Sequence, residues 1–188
     1  MVPKTEKKIN YAKLLFWVDL EMTGLSENQL ILEIASLITN SNLDILDYGP
    51  EIIIKRSKKE LSVMEEWSKS NHKKSGLLEK VFHSEISVTK AEKETLKFLK
   101  KWTPNNEKIP LCGNSIWVDR IFLKREMPKL ESSLHYRMID VSSIKELAYR
   151  WYGSKGISPK KKNTHRALND IIESVNELKW YKKNLYKP

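Results

Sequence analysis

A chain of 188 residues with 40% hydrophobic and 31% charged side chains is long enough for one well-filled core, short for two, and too apolar for a disordered segment. Its longest apolar runs, such as Leu14 to Val18, fall far below the ~20 residues of a bilayer-spanning helix, so no membrane class is expected. A net charge of +10 suits a polyanionic partner, although lysines scattered over a solvated surface account for it equally well.

The basic start, Met1 to Lys8, is not followed by an apolar stretch with a small-residue cleavage site, which predicts no secretory signal and a cytoplasmic location. Residues 1–12 are expected to form a flexible N-terminus on one domain spanning 1–188. Cys112, the only cysteine, excludes an internal disulfide and a multi-cysteine metal site, and is expected as a small buried residue ending a strand.

The first element is a continuous apolar run over 14–19 ending in an acid, the pattern of a strand buried on both faces. After the turn-like Thr23 to Ser26, strand-like spacing returns over 30–39 and 43–55, divided by Asn40-Ser41-Asn42, which predicts a three-stranded meander. From Lys59 to about Trp102 the spacing is helical: Leu61, Met64, Glu65 and Trp67 fit one amphipathic turn, and Ala91, Thr95, Phe98, Leu99 and Trp102 another. A short run from Ile109 to Cys112 leads through Gly113-Asn114-Ser115 to a helix starting near Asp119. His135 to Val141 reads as a fifth strand, and Ser142-Ser143 as the cap of a helix from Ile144 to Trp151. A polar loop containing Gly153, Gly156 and Lys160-Lys161-Lys162 follows, and from Arg166 the apolar positions Leu168, Ile171, Ile172, Val175 and Leu178 predict a final amphipathic helix. Strands first, then helices alternating with strands, indicate an α/β fold with a mixed sheet flanked by helices.

Four acids stand at element ends. Asp19 and Glu21, two apart at the end of the first strand, project from one face. Asp119 in a helix's first turn, and Asp170 near the start of the last helix, each read in isolation as ordinary solvated or dipole-compensating acids. His165 lies five residues before Asp170, a spacing that turns the two side chains about 140° apart on a helix, so the histidine is expected to reach from the preceding loop. Taken together, four carboxylates can hold two hard cations such as Mg²⁺ or Mn²⁺, which would activate a water and stabilise a leaving oxygen, while a neutral histidine accepts the proton.

The segments Val18-Asp19-Leu20-Glu21-Met22-Thr23-Gly24-Leu25, Cys112-Gly113-Asn114-Ser115-Ile116 with Asp119, His135-Tyr136-Arg137 with Asp140-Val141-Ser142, and Thr164-His165-Arg166-Ala167-Leu168 with Asp170 resemble the oligoribonucleases of the DEDDh exonuclease superfamily. The resemblance runs from about residue 14 to 183. It implies a ribonuclease-H-like fold in which Asp19, Glu21, Asp119 and Asp170 bind two divalent ions and His165 is the general base. The implied substrate is short single-stranded RNA, down to a dinucleotide, cut in the 3′→5′ direction to 5′-mononucleotides by a homodimer. The resemblance further places Leu25 and Trp67 on the bases and His72 near the sugar-phosphate, whereas the residues alone read Leu25, Trp67 and Tyr136 as core side chains. Ser115 would join Arg137, Ser142 and Lys145 of the opposing subunit around the 5′-phosphate, with Tyr136 of that subunit stacked on the substrate.

Two departures stand out: Trp117-Val118 replaces the family's usual Gly-Gln before Asp119, and Asn169 replaces an acid beside Asp170. Two other readings remain open at this stage, a different exonuclease of the superfamily acting on longer chains and a catalytically silent RNA-binding module. Lys160 to Lys162 is either an RNA-steering run or a solvated loop.

Overall fold

The computed structural model describes residues 13–26, 28–159 and 166–186. The expected N-terminal segment 1–12, the lysine run Lys160 to Lys162 and His165 lie outside the described residues.

The expected meander is present as β1 (Leu15–Met22), β2 (Ile31–Thr39) and β3 (Ile45–Ile53), joined as successive antiparallel pairs. The β2–β3 turn is closed by Asn40, whose side-chain oxygen accepts the Asn42 and Asp44 N–H groups at 2.8 and 3.0 Å. Four helices follow, α1 (Lys58–Leu61), α2 (Glu66–Lys74), α3 (Leu77–His83) and α4 (Val88–Lys101). The remaining elements are β4 (Leu111–Gly113), α5 (Ile116–Glu126), α6 (Pro128–Ser132), β5 (Met138–Asp140), α7 (Val141–Tyr152), a 3-10 turn (Gly153–Gly156) and α8 (Ala167–Asn184).

The sheet order is β3-β2-β1-β4-β5, with β4 parallel to β1 and β5 parallel to β4. Alternation along β1 and β2 assigns the two faces. Phe16, Val18, Leu20, Ile34 and Ile38 pack with Leu99, Phe122, Leu123 and Leu130, so α4, α5 and α6 cover one face. Trp17, Ala35 and Leu37 pack with Val141, Ala148, Ala167, Ile171 and Val175, so α7 and α8 cover the other. Cys112 is buried in β4, and burial pushes its thiol pKa upward, which makes it a core side chain as expected.

Several boundaries differ from the sequence expectation for identifiable reasons. The amphipathic turn expected across Leu61 to Trp67 is broken between α1 and α2, where Gln29 Nε2 donates to the Val63 carbonyl at 2.9 Å and Glu65 turns out as the N-cap position. The fifth strand is confined to Met138–Asp140, because Arg120 Nη1 draws the His135 and Tyr136 carbonyls to itself at 2.9 and 3.0 Å. Helix α5 begins at Ile116, earlier than Asp119, from a Ser115 with φ 48°. Helix α7 is capped by Asp140, whose carboxylate accepts the Ser142 N–H at 2.9 Å, and not by Ser142-Ser143; a charged acceptor wins at a positive helix end.

Trp17 and Thr39 are both fully buried, and the indole Nε1 donates to Thr39 Oγ1 at 3.0 Å. Thr39→Val keeps the shape but leaves that N–H without its acceptor, so the unfolding free energy should fall by about 1–3 kcal/mol in urea titrations. An unchanged midpoint would show that the bond contributes nothing.

Candidate active site

Because Trp17 faces α8, the alternation of β1 sends Asp19 and Glu21 out on that same face. The first turn of α8 brings Asp170 against them, and one oxygen from each of these three carboxylates lies within 4.8 Å of the other two. Asp119 arrives from another direction. Strand β1 runs on past β4, whose register with it stops at Trp17 and Cys112, so among the described residues the Leu20 N–H has no strand beside it on that edge. Asp119 Oδ1 takes that N–H at 2.9 Å from the first turn of α5. It lies outside the close trio, yet its charge reaches Glu21.

Gathering acids where water is scarce shifts their titration. Burial, followed by the nearby charges of Asp170, Glu33 and Asp119, pushes the Glu21 pKa up to about 8, with Arg166 pulling the other way. Burial pushes Asp119 up to about 7 against the opposing bond from Leu20. Convergent hard oxygen donors held in this repulsive state fit a divalent cation, whose charge would stabilise them as carboxylates.

His72 is also drawn into this corner. It is 2% exposed, its Nε2 lies 2.8 Å from the Met22 carbonyl and so must carry the proton, and Nδ1 faces Glu21 Oε2 at 3.7 Å. Trp67 on α2 and Leu25 after β1 are each 69% exposed, as base-contacting side chains would have to be. Glu65, which sequence reasoning treated only as part of a helical turn, organises the Leu25 loop. Its Oε1 accepts from Leu25 N at 3.3 Å, Ser26 N at 3.2 Å and Ser26 Oγ at 2.5 Å. A Cβ on Gly24 would stand 2.3 Å from the Glu65 Cδ, so only glycine leaves room for this hook.

Ser115 and Ser142 meet within one chain: Ser115 N donates to Asp140 Oδ1 and to Ser142 Oγ, both at 2.9 Å, and the two hydroxyls are 3.2 Å apart. Asn114 links them to α8, since its Nδ2 donates to Ser174 Oγ at 2.5 Å and Ser174 Oγ donates to the Asp170 carbonyl at 2.8 Å. Tyr136 is 71% exposed, stacked by His135 at 4.5 Å between ring centroids and by the Arg137 guanidinium at 5.3 Å. Lys145 Nζ lies 3.4 Å from the buried Glu177, so it already has an anionic neighbour. Trp117 lines an open cavity of about 510 Å³ with Ser115, Ser142 and Arg150, whereas Val118 is half-buried against the core cluster that contains Phe16 and Leu123. Of the two departing residues, Trp117 thus stands on the rim beside Ser115. Asn169 is exposed.

The raised Glu21 pKa has a sign. In the unfolded chain the group loses its proton near 4.5, in the folded protein only near 8, so the stability it contributes is greatest below about pH 4.5 and declines as pH rises toward 8. A cation needs the carboxylate and displaces that proton. In chelator the thermal midpoint should therefore fall between about pH 4.5 and 8 and recover with Mn²⁺, and Mn²⁺ binding at pH 7 should release protons into calorimetry buffers of different ionisation enthalpy. Binding without proton release would contradict the assigned cause.

Residues 16–178 match the exonuclease family. The chain is 53% identical over 181 residues to an oligoribonuclease of Buchnera aphidicola, covering 96% of this chain and 97% of that protein. It is 50% identical to one of Photorhabdus laumondii, covering 90% and 94%, and 49% identical to one of Vibrio vulnificus, covering 92% and 96%. Among solved structures, the zinc-bound E. coli exonuclease I complex with single-stranded DNA superposes with a TM-score of 0.62 at 13% identity, over 92% of this chain and 41% of that one. A 3′-exonuclease that recognises the histone mRNA stem-loop superposes with a TM-score of 0.63 at 14% identity, over 91% and 64%. These distant likenesses show the ribonuclease-H-like sheet and flanking helices expected from the sequence. The chain belongs to the exonuclease family and, within it, to the oligoribonucleases.

Proposed function

We propose that this protein is a 3′→5′ exoribonuclease that degrades short oligoribonucleotides, dinucleotides above all, to 5′-mononucleotides. The observation that carries the reading is the convergence of Asp19, Glu21 and Asp170 oxygens within 4.8 Å, in a chain about half identical to oligoribonucleases over nearly its whole length. Asp19, Glu21, Asp119 and Asp170 would hold two divalent cations, Mg²⁺ or Mn²⁺. Ions so held would supply Lewis acidity to the attacking water and a counter-charge for the leaving 3′-oxygen.

The chain's own groups do the rest. His165, one residue before the Arg166 cap of α8, is the proposed general base, a ring nitrogen taking the proton of the attacking water. Leu25 and Trp67 offer exposed apolar faces on which bases pack without regard to sequence, at about 1–3 kcal/mol per aromatic stack. His72 fixes the end of β1 through Met22 and stands beside Glu21, close to where the sugar-phosphate would pass. Ser115, Arg137, Ser142 and Lys145 form the hydroxyl and cation set for a 5′-phosphate, and Tyr136 a stacking face next to it. A clamp on that phosphate measures length, because a further nucleotide must displace what the clamp holds.

The dimer belongs to the same proposal. Strand β5 is one of the two edges of the sheet, and exposed apolar side chains gather on it and on the helices beside it: Trp117, Ile121, Met138, Leu147 and Trp151. An open edge with that composition suits a second copy. In it the clamp would be shared, Ser115 of one subunit meeting Arg137, Ser142 and Lys145 of the other. The cytoplasm is the setting that the reading assigns, where short RNA fragments end their decay.

Turnover of 5′-phosphorylated di-, tri- and heptaribonucleotides with Mg²⁺, Mn²⁺ or chelator tests the function. Dinucleotide should be cleaved fastest, chelator should abolish cleavage, and His165→Ala should lower kcat by about 10²–10⁴-fold. Asp119→Asn keeps an acceptor for Leu20 N and should fold normally while losing activity. If long single-stranded DNA were degraded faster than the dinucleotide, the short-RNA assignment would fail. Sedimentation should give a dimer, and Met138→Lys at the β5 edge should give monomers with a raised KM for dinucleotide.

A further inference from the structure

Strand β2 is buried along its whole length, and within its apolar sequence stands one acid, Glu33, fully buried. Its register partner in β1 is Glu21, and the two lie on the face that α8 covers. Burying a further carboxylate beside an acidic cluster is costly unless something neutralises it. Arg166 does so from 133 residues away in sequence: its Nη2 donates to Glu33 Oε1 at 2.8 Å, and its Nε stands 3.3 Å from both Glu33 oxygens. The same Nη2 reaches Glu51 Oε1 of β3 at 2.6 Å.

The contact falls at a particular place. Arg166 is the N-cap residue of α8 and makes no side-chain cap bond there; Glu33 Oε2 instead takes the Ala167 N–H, at 3.4 Å, from the sheet face beneath the helix. One buried carboxylate thus holds both the side chain before α8 and the first backbone donor of α8. Four residues on is Asp170, and one residue back in sequence is His165.

From this geometry, and resting on the proposed two-cation exonuclease reading, we propose that Glu33 and Arg166 are positioning residues of the site: their buried ion pair fixes the start of α8 against β1 and β2, which sets Asp170 opposite Asp19 and Glu21. Neither touches substrate. Glu33 supplies a fixed negative anchor inside the sheet, and the Arg166 fork gives that anchor direction as well as charge, which a lysine would not. Arg166 Nε and Nη2 are turned to Glu33 and Glu51, while its charge also lowers the Glu21 pKa from close by.

Removing one partner alone strands a buried charge and unfolds too much to be informative, whereas replacing a buried ion pair by apolar side chains of like volume is often neutral for stability. The test is therefore Glu33→Met combined with Arg166→Met in the full chain, with Arg166→Lys as the conservative variant. Melting temperature and near-ultraviolet circular dichroism report folding, titration with Mn²⁺ alone reports cation affinity, and dinucleotide kinetics separate kcat from KM. The doubly substituted protein should melt near the parent temperature, yet bind Mn²⁺ roughly 10–100-fold more weakly and lose kcat on a similar scale, with KM little changed. Arg166→Lys should fall between the two.

A folded double variant with parental Mn²⁺ affinity and kcat would overturn the positioning role while leaving the exonuclease reading intact. A parent protein that binds no Mn²⁺ and cleaves no dinucleotide would overturn both.

Discussion

The molecule is organised around a repulsion. Asp19, Glu21 and Asp170 are brought within 4.8 Å of one another on a face that a packed helix covers, and burial leaves Glu21 little water to spread its charge. Nothing in the stability of an ordinary α/β sheet calls for that arrangement; apolar residues at the same three positions would pack α8 against β1 at lower cost. The acids make sense only if a positive charge is supplied, and the oxygen donor set selects a hard divalent ion.

Everything nearby serves to hold those acids in place. Strand β1 overruns its parallel neighbour β4, and the bare edge lets Asp119 in to take the Leu20 N–H. The other edge of β1 is filled by β2, which is where Glu33 stands beside Glu21 and draws Arg166 in with the start of α8. A third link runs from the Asp170 carbonyl through Ser174 and Asn114 to the turn carrying Ser115. The site is thus tied to the sheet, to α5 and to the β4–α5 turn by bonds between residues far apart in sequence. Such a constellation tolerates little slack, because a shift of about 1 Å in a catalytic group is expensive in rate.

Much of this was legible in the residues. The apolar run ending in Asp-x-Glu gave a strand with both carboxylates on one face, and period-3.6 spacing located α4 and α8, because burial on one face is what such periodicities encode. Short segments were misjudged where a side chain from elsewhere overrides local preference. Arg120 strips His135 and Tyr136 out of the fifth strand, and Asp140 displaces two serines as the cap of α7. Glu65 and Glu33 escaped notice for a related reason. Each acts only through a partner that folding brings to it, 40 residues back for Leu25 and 133 residues on for Arg166, and local patterns carry no trace of that partner. An acid inside an otherwise apolar strand was the one available signal for Glu33. The family resemblance reached further than the periodicities did, since it named Asp170, which the fold joins to Asp19 and Glu21, as well as Asp119, which the fold holds on Leu20 outside that trio.

A crystal structure grown with Mn²⁺, with its anomalous difference map, tests the central claim most directly. The account predicts anomalous peaks between Asp19, Glu21 and Asp170 and on the Asp119 side of β1. A well-ordered protein with no anomalous density among those carboxylates at saturating Mn²⁺ would contradict it.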